Sequence, residues 1–388
     1  MKILLIKTSA EAHVYSHFLA ALRDAFRELG HEAHISDQSV HVSEKVAPVH
    51  FLARELERGR YEAALSFSSF FGSARMNDGR SLFDALGVKF VGWQLDHPIY
   101  APQSLTRPLQ GRFAVYSNPN HLRFAQAVKV PGRALTMPPG GALAEIPLRD
   151  HAARRWQVFV AATCRGEPPH PWDQMPDSPA KSLLTGVIDH LLADREASLL
   201  DAFNDTAAKQ RLNAKLGRDP LFDDQMIAFL REPLTYVRNQ DRLAIVRALV
   251  DSGLPVTICG SGWQALLGEP KNVTFVPPVA FKDLPALYGD ARVVININAG
   301  NGASERVIYG SLAGAAVVSD FSQTLDAMFG DGITFFNRAK PETVAATVAD
   351  LVCGAKSEII AARAYETTVR SGLWRHRAEQ LIAFLQTA

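Results

Sequence analysis

The first hydrophobic run, KILLI at 2–6, does not alternate with polar residues. An unbroken run of that length marks a strand buried on both faces of a parallel sheet. Phe18, Leu19, Leu22, Phe26 and Leu29 then recur on one helical stripe, closed by Gly30. A second strand at 32–36 completes a βαβ opening, and the alternation continues. Helices are predicted at 47–58, 80–86 and 119–128. Strands are predicted at 62–67 (EAALSF), 88–94 (VKFVGWQ), 112–116 (RFAVY) and 133–137. Strand and helix in alternation predict an α/β, doubly wound sheet.

The pattern breaks at 138–155, where Pro138, Pro139, Gly140 and Gly141 lead into LRDHAARR, a linker by composition. A new strand, 157–162 (QVFVAA), begins a second unit, and the Pro-rich, polar stretch 163–178 reads as a loop. Residues 179–231 carry helical periodicity with little strand signal and predict a helical insertion. A helix at 239–252 leads to a strand at 255–259. Strands follow at 273–276, 292–297 and 315–319, with helices at 281–288 and 304–313 between them. Residues 341–353 and 356–385 read as helical, the last stretch carrying Leu373, Trp374, Arg377, Leu381 and Leu385. The expected division is 1–150, joined by a C-terminal helix at 366–388, and 151–365. Two Rossmann-like lobes are expected to face one another, with ligand between them at the carboxyl ends of the strands.

The 388 residues suit two domains, and a hydrophobic fraction of 47% can build a core in each. With 41 basic and 40 acidic residues the net charge is +1, which gives no support to nucleic-acid binding. No apolar run approaches the roughly 18 residues that a bilayer requires. The N-terminal run is too short for a signal peptide. Cys164, Cys259 and Cys353 are scattered, without metal spacing or a disulfide framework, so a reduced cytoplasmic protein is expected.

Three loops carry candidate chemistry. Cys259-Gly260-Ser261-Gly262-Trp263 follows a strand, and its glycines let backbone approach a ligand or make a tight turn. Asn298-Ala299-Gly300-Asn301-Gly302-Ala303-Ser304-Glu305-Arg306 links a strand to a helix, with small residues and amides that suit a diphosphate. Arg306 in the first helical turn opposes the helix dipole by roughly 0.3–1 kcal/mol, unless it meets an anion. Gly300-x-Gly302-x-x-Glu305 with Asp320 also mimics a dinucleotide fingerprint, but Glu305 replaces the third glycine. Trp93-Gln94-Leu95-Asp96-His97-Pro98 ends a strand of the first lobe, and Asp96 or His97 can serve as a general base. The same Asp-His-Pro also makes an ordinary turn. His13 and His17 lie i, i+4 without a third ligand, so no metal is expected; His13 can instead face the acceptor side. Arg165 follows the first strand of the second lobe, within reach of a phosphate or at the surface. Arg238 and Arg242 read as a solvated helix face.

The helix from Arg242 to Gly253, VTICGSGW at 256–263, and VININAGNGASERVIYGSLAGAAVVSD at 294–320 together resemble the CgeB-like (spore-protein) glycosyltransferases of the GT-B fold. The resemblance spans roughly 156–330, helical insertion included. In the first lobe only the order of elements and LDHP at 95–98 share it. It implies a nucleotide-sugar in the second lobe, lined by Gly260, Ser261, Gly262 and Trp263, with Asn301, Gly302, Ser304, Glu305 and Arg306 around the diphosphate. It also implies that the last helix crosses back to the first lobe. The turn Ala313-Gly314 aligns Tyr309 with the glutamate that holds the donor ribose in many such enzymes. A phenol donates one hydrogen bond but cannot accept from two hydroxyls as a carboxylate does. Ribose recognition then falls to another group, Glu305 among the candidates.

The expected activity is metal-independent transfer of a sugar from a nucleotide-sugar, used as co-substrate without a further cofactor. The acceptor is a hydroxyl or side chain on a glycan, lipid or protein, and a homodimer is compatible with the sequence. The alternatives are a nucleotide-sugar epimerase, which needs no acceptor, and a non-catalytic nucleotide-binding protein of the same fold.

Overall fold

The computed structural model describes residues 1–8, 13–39, 48–101, 109, 111–130, 132–143, 148–211, 224–298, 302–353 and 355–387. The chain divides into two compact units. One comprises Met1–Ala142, Ala280–Lys282 and Ser371–Ala388, the other Leu143–Val279 and Asp283–Arg370.

The first unit is built on six strands: β1 (Lys2–Lys7), β2 (Glu32–Asp37), β3 (Ala63–Phe67), β4 (Lys89–Gln94), β5 (Arg112–Tyr116) and β6 (Arg133–Thr136). They pair in the order β2-β1-β3-β4-β5-β6, every pair parallel. Strand order reverses between β1 and β3, the place where such sheets open a crevice for ligands. Helices α1 (Val14–Glu28), α2 (Pro48–Gly59), α3 (Leu82–Leu86) and α4 (Pro119–Ala127) connect the strands. The unbroken apolar runs behave as read, since all of β3 and β5 is buried.

The second unit repeats the plan with β7 (Trp156–Ala161), β8 (Val256–Cys259), β9 (Val273–Val276), β10 (Ala291–Asn296), β11 (Ala316–Asp320) and β12 (Thr334–Phe336). Their order is β12-β11-β10-β7-β8-β9, again all parallel. This is the Rossmann order, and its reversal falls between β7 and β10. One buried cluster joins Val158 and Val160 of β7, Ile258 of β8, Ile295 of β10 and Leu249 of the helix before β8.

The helical insertion consists of α5 (Pro179–Ala193), α6 (Leu199–Lys209) and the first half of α7 (Asp224–Asp251). The sequence pattern predicts a new helix at 239, but α7 runs unbroken from 224 to 251 with Pro233 inside it. A proline there removes one N–H and crowds the carbonyl a turn before it. Burial of Ile227, Leu230, Tyr236 and Val237 on either side of Pro233 holds the helix together. Within the second unit α8 (Trp263–Leu267), α9 (Leu284–Gly289), α10 (Glu305–Leu312), α11 (Gln323–Phe329) and α12 (Thr343–Val352) complete the crossovers. The short α8, α11 and β12 give too few periods to be read from sequence.

The stretch read as one helix over 356–385 is two, α13 (Lys356–Ser371) and α14 (Trp374–Gln386). The break at Gly372 frees backbone groups for the first unit. Gly141 N–H donates to the Gly372 carbonyl and Trp374 N–H to the Gly141 carbonyl, each at 2.9 Å. Pro138–Gly141, read as linker, is therefore packed structure. Trp374 is 2% exposed, with its ring 4.9 Å from Phe18 and 5.6 Å from Trp93.

A Cβ on Gly140 would lie 2.7 Å from both the nitrogen and Cα of Trp374. Backbone cannot step aside as a flexible side chain can. Gly140→Ala is expected to lower stability by about 1–3 kcal/mol, the usual range for overpacking. Urea denaturation measures the change, and an unaltered midpoint would contradict the packing described.

Candidate functional site

Arg306 stands on the first turn of α10, at the strand-order reversal of the second unit. Its Nε donates to the carbonyl of Ala161, the last residue of β7, at 3.1 Å. Its Nη1 donates to Asn296 Oδ1, at the end of β10, at 3.3 Å. The guanidinium thus spans the two strands between which the order reverses.

Asn296 is fully buried, and its own Nδ2 is fixed by donation to Ser319 Oγ at 2.8 Å. Ser304 Oγ donates to the same Asn296 Oδ1 at 2.7 Å. Ser304 occupies the N-cap position of α10 but makes no side-chain cap hydrogen bond. Glu305 follows, with its carboxylate 3.6 Å from Arg306 Nη2. Gly302 has φ +79°, a conformation that favours glycine, and its carbonyl accepts from Asn298 Nδ2. Asn301 lies outside the described residues. Tyr309 is 7% exposed, one turn further along α10.

The sequence reading places Arg242 on a solvated helix face, and the structure corrects it. Arg242 is half-buried, and its Nη1 donates to the Thr163 carbonyl at 3.2 Å. Its Nε has no hydrogen-bond partner, and among the described residues no carboxylate pairs with it. Burial, then the like charges of Arg306, Arg238 and Arg165, push the guanidinium down to about 10. Four arginines from three segments therefore share one electrostatic neighbourhood. Arg165 is its exposed member, in the loop after β7. A single sequence offers no signal for this, because Arg238 and Arg242 reach the site only through the course of α7.

The glycine loop after β8 serves packing. Gly260 has φ +146°, and a Cβ there would sit 2.0 Å from the Ala162 carbonyl oxygen. A Cβ on Gly262 would sit 2.4 Å from the Cys164 carbonyl oxygen. Cys164 N–H donates to Ser261 O at 2.9 Å, and Ala162 N–H to Cys259 O at 3.0 Å. The glycines thus let the loops after β7 and β8 touch. Trp263 is 1% exposed, belongs to the core, and donates Nε1–H to the Ala162 carbonyl at 2.8 Å. It fixes the loop from beneath instead of lining a ligand surface. Ser261 is exposed.

Asp320 does not stand free to bind a ribose. It is 2% exposed, accepts from the Asn298 N–H at 3.0 Å, and lies 4.0 Å from Arg338.

In the first unit, Asp96 and His97 follow β4. His97 is 6% exposed and caps the short turn Pro98–Tyr100, its Nδ1 accepting from the Ile99 N–H at 3.2 Å. Its ring packs on His121 and Phe124, with centroids 4.9 and 4.8 Å away. Burial, then the neighbouring His121, hold it well below the ordinary imidazole value. A neutral ring with Nδ1 engaged by backbone is a cap, and Asp96 beside it is half-buried. His13 caps α1, its Nδ1 accepting from the Tyr15 N–H at 3.2 Å, beside the reversal of the first sheet.

Known proteins agree with this architecture. Residues 238–383 match the family model described as "Glycosyl transferase-like". HepE of Anabaena, solved in complex with UDP-glucose, aligns over 100% of both chains with a TM-score of 0.55 at 11% identity. A glycosyltransferase from Rickettsia africae aligns over 100% of this chain and 98% of its own, with a TM-score of 0.56 at 9% identity. Sucrose-phosphate synthase from Thermosynechococcus elongatus gives the same coverage and 0.54 at 9% identity. No curated protein matches the sequence. The chain has the GT-B fold, and its 238–383 segment matches a glycosyltransferase-like family model. Among the described residues no helix is long and apolar enough to cross a membrane.

Removing a half-buried cation from among like charges relieves repulsion and desolvation. Arg242→Met is therefore expected to leave the ligand-free protein at least as stable as wild type, with a gain of up to about 1 kcal/mol, while weakening anion binding. Urea denaturation without ligand measures the first part. A marked loss of stability would instead assign Arg242 a structural role.

Proposed function

We propose that the protein is a CgeB-like glycosyltransferase whose second unit binds a nucleotide-sugar through its diphosphate. The observation that supports this most is Arg242, half-buried beside Arg306, Arg238 and Arg165 with no carboxylate partner among the described residues. Such a cluster is unfavourable by itself and becomes favourable once a doubly charged anion enters it. Its place at the strand-order reversal is where α/β sheets take their ligands. The start of α10, where Ser304 makes no side-chain cap hydrogen bond, adds to the field.

In the reaction, an acceptor oxygen attacks the anomeric carbon of the donor. The bond from that carbon to the β-phosphate oxygen breaks, and its electron pair passes to the diphosphate. Arg306 and Arg242 stabilise the charge that grows there. In an inverting course Asp96 takes the acceptor's proton. In a retaining course the departing phosphate oxygen takes it, and no dedicated base is needed. The guanidiniums supply the positive charge, so transfer is proposed to be metal-independent. The acceptor class is a glycan, lipid or protein, and the buried, unpaired Cys164 and Cys259 suit the cytoplasm.

The test is a thermal-shift titration with UDP, GDP, CMP, dTDP and NAD on wild type and Arg306→Ala. UDP comes first because HepE was solved with UDP-glucose. Ligand at 100 times its dissociation constant stabilises by about 2.7 kcal/mol, a shift of a few degrees. A shift with one nucleotide diphosphate, unchanged by EDTA and lost in Arg306→Ala, is expected. A shift with NAD alone, or one that EDTA abolishes, would overturn the reading.

A further inference from the structure

Behind the arginine cluster lies a second group of charges that no step above uses. Asp241, the residue before Arg242 on α7, is 1% exposed. Its Oδ1 lies 3.1 Å from Arg195 Nη2, and its Oδ2 3.4 Å from Arg338 Nη1. Arg338 also donates to the Arg195 carbonyl and lies 4.0 Å from Asp320 Oδ2. Asp320 Oδ1 in turn holds the Asn298 N–H at 3.0 Å. Two carboxylates and two guanidiniums, with side-chain exposures from 1% to 16%, thus join four segments. These are the turn after α5 in the helical insertion, the middle of α7, the loop after β12, and the end of β11.

A buried neutral quartet of this kind is seldom a gain in stability over apolar packing. Asp241 bears this out. Burial, ahead of the attraction of Arg338 and Arg195 and joined by repulsion from Asp320, raises its carboxyl to about 6 from an ordinary 3.8. A carboxyl raised on folding binds its proton more tightly in the native state, so its ionisation lowers stability. What the quartet supplies is directional. It fixes α7 at the turn that carries Arg242, and through Asp320 it fixes the strand end that leads to Arg306.

We propose that Asp241, Arg195, Arg338 and Asp320 form a positioning relay that ties the helical insertion to both arms of the anion site. Asp241 and Asp320 are its positioning residues. The relay rests on the reading of that site as a nucleotide-diphosphate site, but the link from α7 to Asn298 can be tested without any ligand.

The experiment compares wild type with Asp241→Asn by native-state amide hydrogen exchange and by UDP titration. Asp241→Asn is expected to speed exchange of the Asn298 amide about tenfold, although Asn298 makes no contact with residue 241 in the relay, and to weaken UDP binding to a similar extent. Asp320→Asn is expected to do the same at Asn298. Faster exchange confined to the neighbours of 195 and 241, in a folded variant, would overturn the relay. Faster exchange at Asn298 with no UDP binding by wild type would uphold the link and sink the nucleotide reading. Should Asp241→Asn fail to fold, Arg338→Lys, which keeps the charge but loses the fork, is judged by the same criteria. The pH dependence gives a separate check. Relative to Asp241→Asn, wild type is expected to lose stability as pH rises from about 4 to about 6, the interval between the ordinary and native values.

Discussion

The side chain of Asn296 is the point on which the second unit's site is organised. It sits at the carboxyl end of a central strand, where water cannot reach it. Its amide must therefore be satisfied within the protein. Ser319 on the neighbouring strand takes its N–H, and this orients the oxygen toward Ser304 and Arg306. The oxygen is neutral, so it directs the Arg306 guanidinium without cancelling its charge. A carboxylate in its place would hold the arginine more tightly and leave less field for an anion. Geometry and electrostatics are thus separated: an amide and a carbonyl aim the cation, while the opposite charge of Glu305 lies 3.6 Å away.

Much of the fold was legible because its strands are buried on both faces and write unbroken apolar runs. KILLI, RFAVY and the run ending in Asn296 needed no tertiary information. The errors arose where tertiary contacts decide. The pattern starts a new helix at 239, yet buried neighbours on either side of Pro233 carry α7 unbroken from 224. Gly372 lies within one helical stripe, yet the backbone opens there to pair with Gly141.

The site was legible in part and for a related reason. Arg306 stood out because a cation in a first helical turn is a local anomaly. Arg242 shows no local anomaly, since an arginine in an amphipathic helix is ordinary until the helix is placed. His97 and the Gly260–Gly262 pair show the converse. Both look functional in sequence, and in the structure each also makes local backbone contacts, one as a cap and the other as a crossing of two loops. A glycine that admits a ligand and a glycine that admits a neighbouring carbonyl are written with the same letter.

The discontinuity of the first unit has a bearing on how the chain is made. Its sheet is encoded by the first 142 residues, but Trp374, Phe384 and the rest of α14 complete its core. Phe384 packs against Phe113, and the Leu385 carbonyl accepts from Lys89 Nζ at 2.8 Å. At translation rates of about 5–20 residues per second, the sheet waits on the order of ten to fifty seconds for residues 371–388. During that interval the surface that α14 will cover is open to solvent and to other chains. The unit synthesised later is the first that can close its core, so the order of completion runs opposite to the order of synthesis. A cell would meet this protein first as a nascent chain with one aromatic face uncovered, the kind of surface that chaperones hold.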